Sequence, residues 1–281
     1  MPVSRWTSDG WDAAVRVGLL VPHADVGPES EMQAMAPPGV RIHAARVPFG
    51  AMATRGKMDP TIALEPVRRF AEPPELDDAA ELLAAAPLDV VAYGFTSSAY
   101  VVGADGEAAM VRRLRQRTRG IPIVTPCASA VEALRALDAR RIAIFDPPWF
   151  DAQLIGLGRA YYEDAGFDVL EAMACELPSD QTAITPQALH RWIVDRAPAD
   201  ADAIVVGGNG LRAVGTITAL EADLRRPVLT ANQVLLWGAL RAAGAGVRID
   251  HYGRIFDVDT PAHRGAARAP GARVPGASAS P

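Results

Sequence analysis

A chain of 281 residues, 49% hydrophobic and 22% charged, has enough apolar material for one large core or two smaller ones, and two domains are the expected number. Its net charge of −5 and pI near 5.6 argue against a nucleic-acid surface or an anionic membrane surface, and no basic run with interleaved aromatics occurs. The start, MPVSRWTSDGWDAAVRV, lacks an apolar signal region and no apolar run is long enough to span a bilayer, so a cytoplasmic protein is expected.

In chain order, Val15 to Val21 (VRVGLLV) reads as the first strand and ends in Pro22-His23-Ala24-Asp25-Val26. Two titratable side chains, His23 and Asp25, therefore follow a strand's carboxyl end, where chemistry is usual in α/β architectures; a helix cap and a surface histidine are the plainer roles. Arg41 to Val47 is a second strand candidate, whose Arg46 suits either a carboxylate clamp or a salt bridge. Residues 51–75, rich in Pro and Met, read as a loop with a short helix, placed where lids are often found. After an amphipathic helix at Leu76 to Ala85 comes the stretch around which the chain is organised. The apolar run Val90-Val91-Ala92-Tyr93 suits a strand buried on both faces, and it delivers Gly94, Phe95 and the hydroxyls Thr96, Ser97 and Ser98. Hydroxyls and free N–H groups between such a strand and a helix form a receptor for an anion; a simple turn or cap would use the same residues. Glu107 to Arg119 reads as a helix whose five arginines form a solvated face, followed by strand Ile121 to Thr125 and helix Ala128 to Leu137.

The pattern then repeats. Arg141 to Phe145 is a strand ending in Asp146, held by Pro147-Pro148. Helix Phe150 to Ala165, strand Phe167 to Ala172 and helix Pro186 to Arg196 lead to a second apolar strand, which runs into Gly207-Gly208-Asn209-Gly210. A helix from Arg212 to Leu224, strand Pro227 to Thr230 and helix Asn232 to Ala243 follow. In both copies a Pro-led strand ending in Thr precedes a helix containing Ala-Leu-Arg-Ala, so the chain reads as two related α/β halves whose strand-end loops can line one cleft. The halves are expected at 13–126 with 231–257, and at 127–230. From Pro261 to Pro281 the Ala, Gly, Pro, Ser and Arg composition offers little to bury, and a disordered tail is expected.

Val91-Ala92-Tyr93-Gly94-Phe95-Thr96-Ser97, Pro126-Cys127-Ala128-Ser129-Ala130, Gly207-Gly208-Asn209-Gly210-Leu211-Arg212, Asn232-Gln233 with Trp237, and Tyr252-Gly253-Arg254 together resemble the aspartate/glutamate/hydantoin racemase superfamily. The similarity covers about residues 15–257 and is greatest to the branch holding maleate cis-trans isomerase and arylmalonate decarboxylase. It implies two flavodoxin-like, Rossmann-like parallel-sheet domains related by a pseudo-two-fold axis, a site between them and no cofactor. It also implies a cysteine in each half, before the Thr-Ser of the first motif and within the glycine-rich turn of the second, acting as acid, base or nucleophile. Phe95 stands at the first position, and Gly208 or Asn209 at the second. Cys127 and Cys175 match neither position, form no metal-binding spacing and read as buried small hydrophobes. Where the isomerase branch has Pro-Ser-Ser-Asn-Thr, this chain has an acid at Asp25, and where the family has Thr-Pro-Tyr it has Asp146-Pro147-Pro148.

The expectation is a cofactor-independent isomerase or decarboxylase-type lyase acting on a small carboxylate, with no nucleic-acid or membrane partner; self-association into a homo-oligomer is left open. Thr96, Ser97, Ser98 and backbone N–H groups would hold the carboxylate, and Gly208, Asn209 and Gly210 would face them from the other half. Phe95 would form an apolar wall, and Asp25, His23 and Asp146 are the candidate acids and bases. Two alternatives stand beside this reading: a hydrolase or hydratase in which Asp25 or Asp146 activates water, and a carboxylate-binding protein without catalysis.

Overall fold

The computed structural model describes residues 9–258 and contains two four-stranded parallel sheets. The first sheet comprises β1 (Val15–Pro22), β2 (Val40–Val47), β3 (Val90–Tyr93) and β4 (Ile123–Val124), in the order β2-β1-β3-β4. The second comprises β5 (Arg141–Asp146), β6 (Asp168–Ala174), β7 (Ala203–Val206) and β8 (Val228–Thr230), in the order β6-β5-β7-β8, which is the same topology shifted by four strands. The repeat in sequence is thus a repeat in fold. Strands β3 and β7 are buried at every residue, as expected of central strands covered on both faces.

Helices α1 (Gly27–Met35), α2 (Leu64–Phe70), α3 (Glu75–Leu83), α4 (Thr96–Arg117) and α5 (Pro126–Ala136) belong to the first part of the chain, and α6 (Ala152–Asp164), α7 (Pro186–Arg196), α8 (Ile217–Leu224) and α9 (Ala231–Ala242) to the second. Helix α9 leaves β8 of the second sheet and packs against β3, β4 and α1 of the first half and against α5. Its residues 231–240 are all buried, and Thr230 and Gln233 form a capping box at its start. One apolar cluster runs from Leu20 through Phe145 to Trp237, so the halves share a core. Two described thiols, Cys127 and Cys175, are free and buried. No helix among the described residues is long and apolar enough to cross a membrane.

Three elements differ from the sequence expectations. Helix α4 begins at Thr96, eleven residues before the expected Glu107, because Gly103 adopts φ +68° and joins two helical segments. Its arginines are not simply solvated. Arg113 donates to the buried Asp77 of α3 at 2.9 Å, and Arg117 pairs with Asp78 and Glu81 of the same helix. Helix α1, with Pro28 in its first turn and Glu31 buried, has no counterpart in the sequence reading because its apolar stripe is weak. The expected disordered tail, 261–281, lies outside the described residues.

Candidate active site

The carboxyl ends of β1, β3, β5 and β7, the two central strands of each sheet, converge on one cleft. It is lined by Pro22 and Asp25 after β1, Phe95 to Ser97 after β3, Trp149 and Phe150 after β5, and Gly208 to Gly210 after β7. Phe49, Met58 and Ile62 close it from the segment between β2 and α2. That cover is latched to the second half: the Ile62 N–H donates to the Trp149 carbonyl at 3.0 Å and the Ser179 hydroxyl to the Pro60 carbonyl at 2.9 Å. The room left in the cleft is about 20 Å³, that of about one water molecule, too little for an organic ligand unless the lining shifts.

On the first half, α4 starts at Thr96 without a capping side chain, which leaves its first N–H groups directed at the cleft. Among the described residues nothing hydrogen-bonds the Ser97 hydroxyl, which lines the cleft. Ser98 is turned away, sharing a hydrogen bond with the Tyr93 hydroxyl at 2.9 Å and donating to the Phe95 carbonyl at 3.2 Å. Phe95 stands in an aromatic group, its ring 4.2 Å from Phe70 and 4.9 Å from Phe49, and forms an apolar wall.

The loop of the second half is shaped by glycines. Gly208 has φ +77°, and a Cβ there would lie 2.1 Å from the Pro147 ring, so this position admits no side chain without displacing the turn. Asn209 is the residue whose side chain crosses to the first half, where its Oδ1 accepts the Thr96 hydroxyl at 2.6 Å. The Thr96 hydrogen is therefore committed to Asn209, and the expectation that this hydroxyl donates to a bound carboxylate does not match the geometry.

Asp25 is 3% exposed. Its Oδ1 accepts the Gly27 N–H at 2.9 Å at the start of α1. Its Oδ2 approaches Gly210, where a Cβ would sit 2.9 Å away. Burial raises its pKa, while the Gly27 N–H, the Gln181 amide and Arg46 pull the other way. The Gln181 nitrogen lies close enough to act on this carboxylate without forming a hydrogen bond of normal geometry. Arg46 is a support: it donates to the Asp25 carbonyl and pairs with Glu29.

His23 and Asp146 lie elsewhere. The His23 ring accepts the Phe49 N–H through Nδ1 at 3.1 Å and lines a neighbouring cavity of about 420 Å³ with Glu65, Pro66 and Arg69. Asp146 is sealed beneath the second loop, against Gly207, where a Cβ would lie 2.0 Å from its Oδ1. Tyr100 donates to that oxygen at 3.3 Å, the other oxygen has no partner, and burial pushes the carboxyl up to about 7. The two aspartates do not converge. Neither thiol is among the cleft-lining residues: Cys127 lies behind them, donating to the Thr96 carbonyl at 3.6 Å with its pKa raised by burial, and burial pushes Cys175 up to about 12.

Met58 and Ile62 fall within 51–75, the segment expected where lids are often found, whereas Phe49, Trp149 and Phe150, which carry no motif, and Gln181 have no counterpart among the expected site residues. Among the described residues no group of three or more His, Cys, Asp or Glu side chains is placed to hold a metal ion.

The arylmalonate decarboxylase family model matches residues 17–256. A maleate isomerase of Pseudomonas putida is 26% identical over 235 residues, covering 81% of this chain and 91% of that protein. An arylmalonate decarboxylase of Bordetella bronchiseptica is 29% identical over 188 residues, 60% of this chain and 71% of that protein. Among solved structures, a variant of the maleate isomerase Iso from Pseudomonas putida with maleate superposes with a TM-score of 0.75 at 26% identity, over 87% of this chain and 98% of that one. The arylmalonate decarboxylase crystal structure gives 0.71 at 23% identity, over 86% and 99%, a likeness of fold.

Proposed function

The chain belongs to the arylmalonate decarboxylase family, and from that premise we propose a lyase or isomerase that acts on a small carboxylate and moves a proton at carbon with Asp25 instead of a thiol. One observation carries this reading: among the residues lining the cleft, Asp25 is the one ionisable side chain, and no cysteine is among them. Decarboxylation fits these groups better than cis–trans isomerisation by addition to a double bond, which needs a nucleophile that the aromatic, hydroxyl and amide lining does not supply. Neither the aspartate pair of a water-activating enzyme nor a cleft emptied of acids is present, which weighs against the hydrolase and the non-catalytic binding protein.

In the proposed reaction one carboxylate of a malonate-type substrate is held by the Ser97 hydroxyl and the N–H groups opening α4. The other faces Phe95, Phe49 and Trp149. A carboxylate in apolar surroundings is poorly solvated, and loss of CO₂ relieves it. The electron pair of the breaking C–C bond passes into the retained carboxylate, giving an enediolate that the same donors stabilise. Asp25, whose pKa burial raises, acts in its protonated form, giving its proton to the α-carbon and recovering one from solvent. No step calls on a cofactor.

The test is product analysis after incubation with phenylmalonate, methylmalonate and maleate. Release of CO₂ with formation of the monoacid is expected from at least one malonate. Conversion of maleate to fumarate alone would replace decarboxylation by isomerisation, and no turnover of any of the three would overturn the reading. A related expectation concerns Ser97→Ala. It removes a donor to a charged acceptor, worth about 1.5–3 kcal/mol, so calorimetry should find malonate binding weakened roughly ten- to hundredfold in a protein that still folds. Unchanged affinity would reduce Ser97 to part of the helix start.

A further inference from the structure

Behind Thr96 and Asn209 a chain of buried hydrogen bonds runs across both halves. Glu31, carried inward by α1, accepts the Ala213 and Val214 N–H groups on Oε1 at 2.7 and 3.0 Å. Its Oε2 accepts from the Asn232 side chain at 2.8 Å, at the start of α9. The same Asn232 nitrogen donates to the Asn209 carbonyl at 2.8 Å, and Asn232 Oδ1 accepts the Asn209 amide at 2.8 Å. Asn209 Oδ1 then accepts the Thr96 hydroxyl.

The direction of this chain follows from chemistry at its far end. Glu31 Oε2 and the Asn209 carbonyl are both acceptors and both face one atom of Asn232, which must therefore be its NH₂ group. Reversing the amide would set an oxygen against two oxygens. With Asn232 fixed, its oxygen demands the Asn209 NH₂, which turns Asn209 Oδ1 toward Thr96 and draws the hydroxyl hydrogen away from the cleft. Thr96 lines the cleft all the same, and what it can offer a ligand is a lone pair.

We propose that Glu31 and Asn232 are positioning residues that make Thr96 a hydrogen-bond acceptor, so that a donor group beside the carboxylate tightens ligand binding. The inference rests on the carboxylate site proposed above and sharpens it: the carboxylate goes to Ser97 and the helix start, and Thr96 receives an N–H or O–H, as from an amide, a hydroxyl or a protonated second carboxyl. A fully ionised malonate has no donor for the Thr96 lone pair, so its second carboxylate is left to the apolar wall of Phe95, Phe49 and Trp149 from which CO₂ is lost, and it binds less tightly than a ligand that carries a donor.

Malonamate and malonate form a near-isosteric probe pair, compared by calorimetry at a pH where malonate is a dianion. The wild-type protein should bind malonamate roughly ten- to hundredfold more tightly, the range of one hydrogen bond to a charged group or one polar atom left unpaired. Glu31→Gln keeps the backbone N–H contacts but sets an NH₂ against Asn232, so the relay loses its direction and the preference should fall to within about threefold of unity. Glu31→Gln combined with Asn232→Asp supplies an acceptor where the new NH₂ points and again places an oxygen opposite the Asn209 amide, but it sets an oxygen against the Asn209 carbonyl, so the preference should return in part, above that of Glu31→Gln alone. A purely structural role for Glu31 would not be rescued by a second substitution that removes another native donor. Should the Glu31 variants fail to fold, Thr96→Val decides: it should cost malonamate affinity and spare malonate, whereas tenfold weaker malonate binding would mean that Thr96 donates and would overturn the proposal. Equal wild-type affinities, or a preference untouched by Glu31→Gln, would also overturn it while leaving the carboxylate site standing. If neither probe binds the wild type, the carboxylate site itself fails and the relay's role in selecting a ligand goes with it.

Discussion

Asp25→Asn should lower turnover by about two to four orders of magnitude, the usual contribution of a positioned general acid or base, while ligand affinity changes little. The substitution is nearly isosteric. An amide oxygen can still accept the Gly27 N–H that fixes the start of α1, so the fold and the α4 end of the cleft should persist. What disappears is the only ionisable group among the residues lining the cleft. Steady-state kinetics beside calorimetry separates the outcomes. A fall in kcat with affinity preserved supports proton transfer by Asp25. A fall in affinity with kcat at saturation preserved would make Asp25 a partner for an amine or hydroxyl on the substrate, and full activity would remove it from the mechanism.

Asp146→Asn should stabilise the protein at alkaline pH. The Asp146 carboxyl is raised from 3.8 to about 7 by burial, so the folded state keeps a proton that the unfolded chain releases. Its contribution is fully present below 3.8 and is lost as pH rises through about 7. A shift of about three units corresponds to something on the order of 4 kcal/mol of destabilisation at pH 8. The asparagine keeps an acceptor for the Tyr100 hydroxyl and cannot ionise. Thermal denaturation should therefore show the variant ahead by roughly 10 °C at pH 8, with the gap closing toward pH 4. An equal gap at both pH values would mean that the effect is packing and not ionisation.

The sequence made the two halves legible because each central strand is an unbroken apolar run that stops abruptly at small and polar residues, and this happens twice in the same order. Both Thr96 and Asn209 could be placed at strand ends on that ground alone. Their hydroxyl and amide could not be given a direction, because the group that orients them, Glu31, lies 201 positions from Asn232 and on a helix with little apolar periodicity. Asp146 misleads for a related reason. A carboxylate after a strand and before two prolines reads as presented to the cleft, yet the missing side chain of Gly207 leaves space beneath the neighbouring loop of the same sheet, and the carboxyl fills it. The helix reads from Glu107 in sequence because Gly103 interrupts the helical pattern, and the first turns of α4, which line the cleft at Thr96 and Ser97, are lost from that reading. As for the cover, Met58 and Ile62 sit in a segment without helix or strand periodicity, and the hydrogen bonds from Ile62 to Trp149 and from Ser179 to Pro60 show which face they close.

The central claim, that a buried carboxyl and not a thiol moves the proton, is tested most directly by the pH–rate profile of the Cys127→Ala/Cys175→Ala protein on whichever malonate the wild type decarboxylates. Both thiols are buried, outside the cleft lining and pushed up in pKa, so the double variant should turn over at nearly the wild-type rate. Its activity should fall with rising pH through one titration above the ordinary aspartate value of about 3.9, because Asp25 acts in its protonated form. A folded double variant without turnover, or a profile that titrates only in the thiol range, would contradict it.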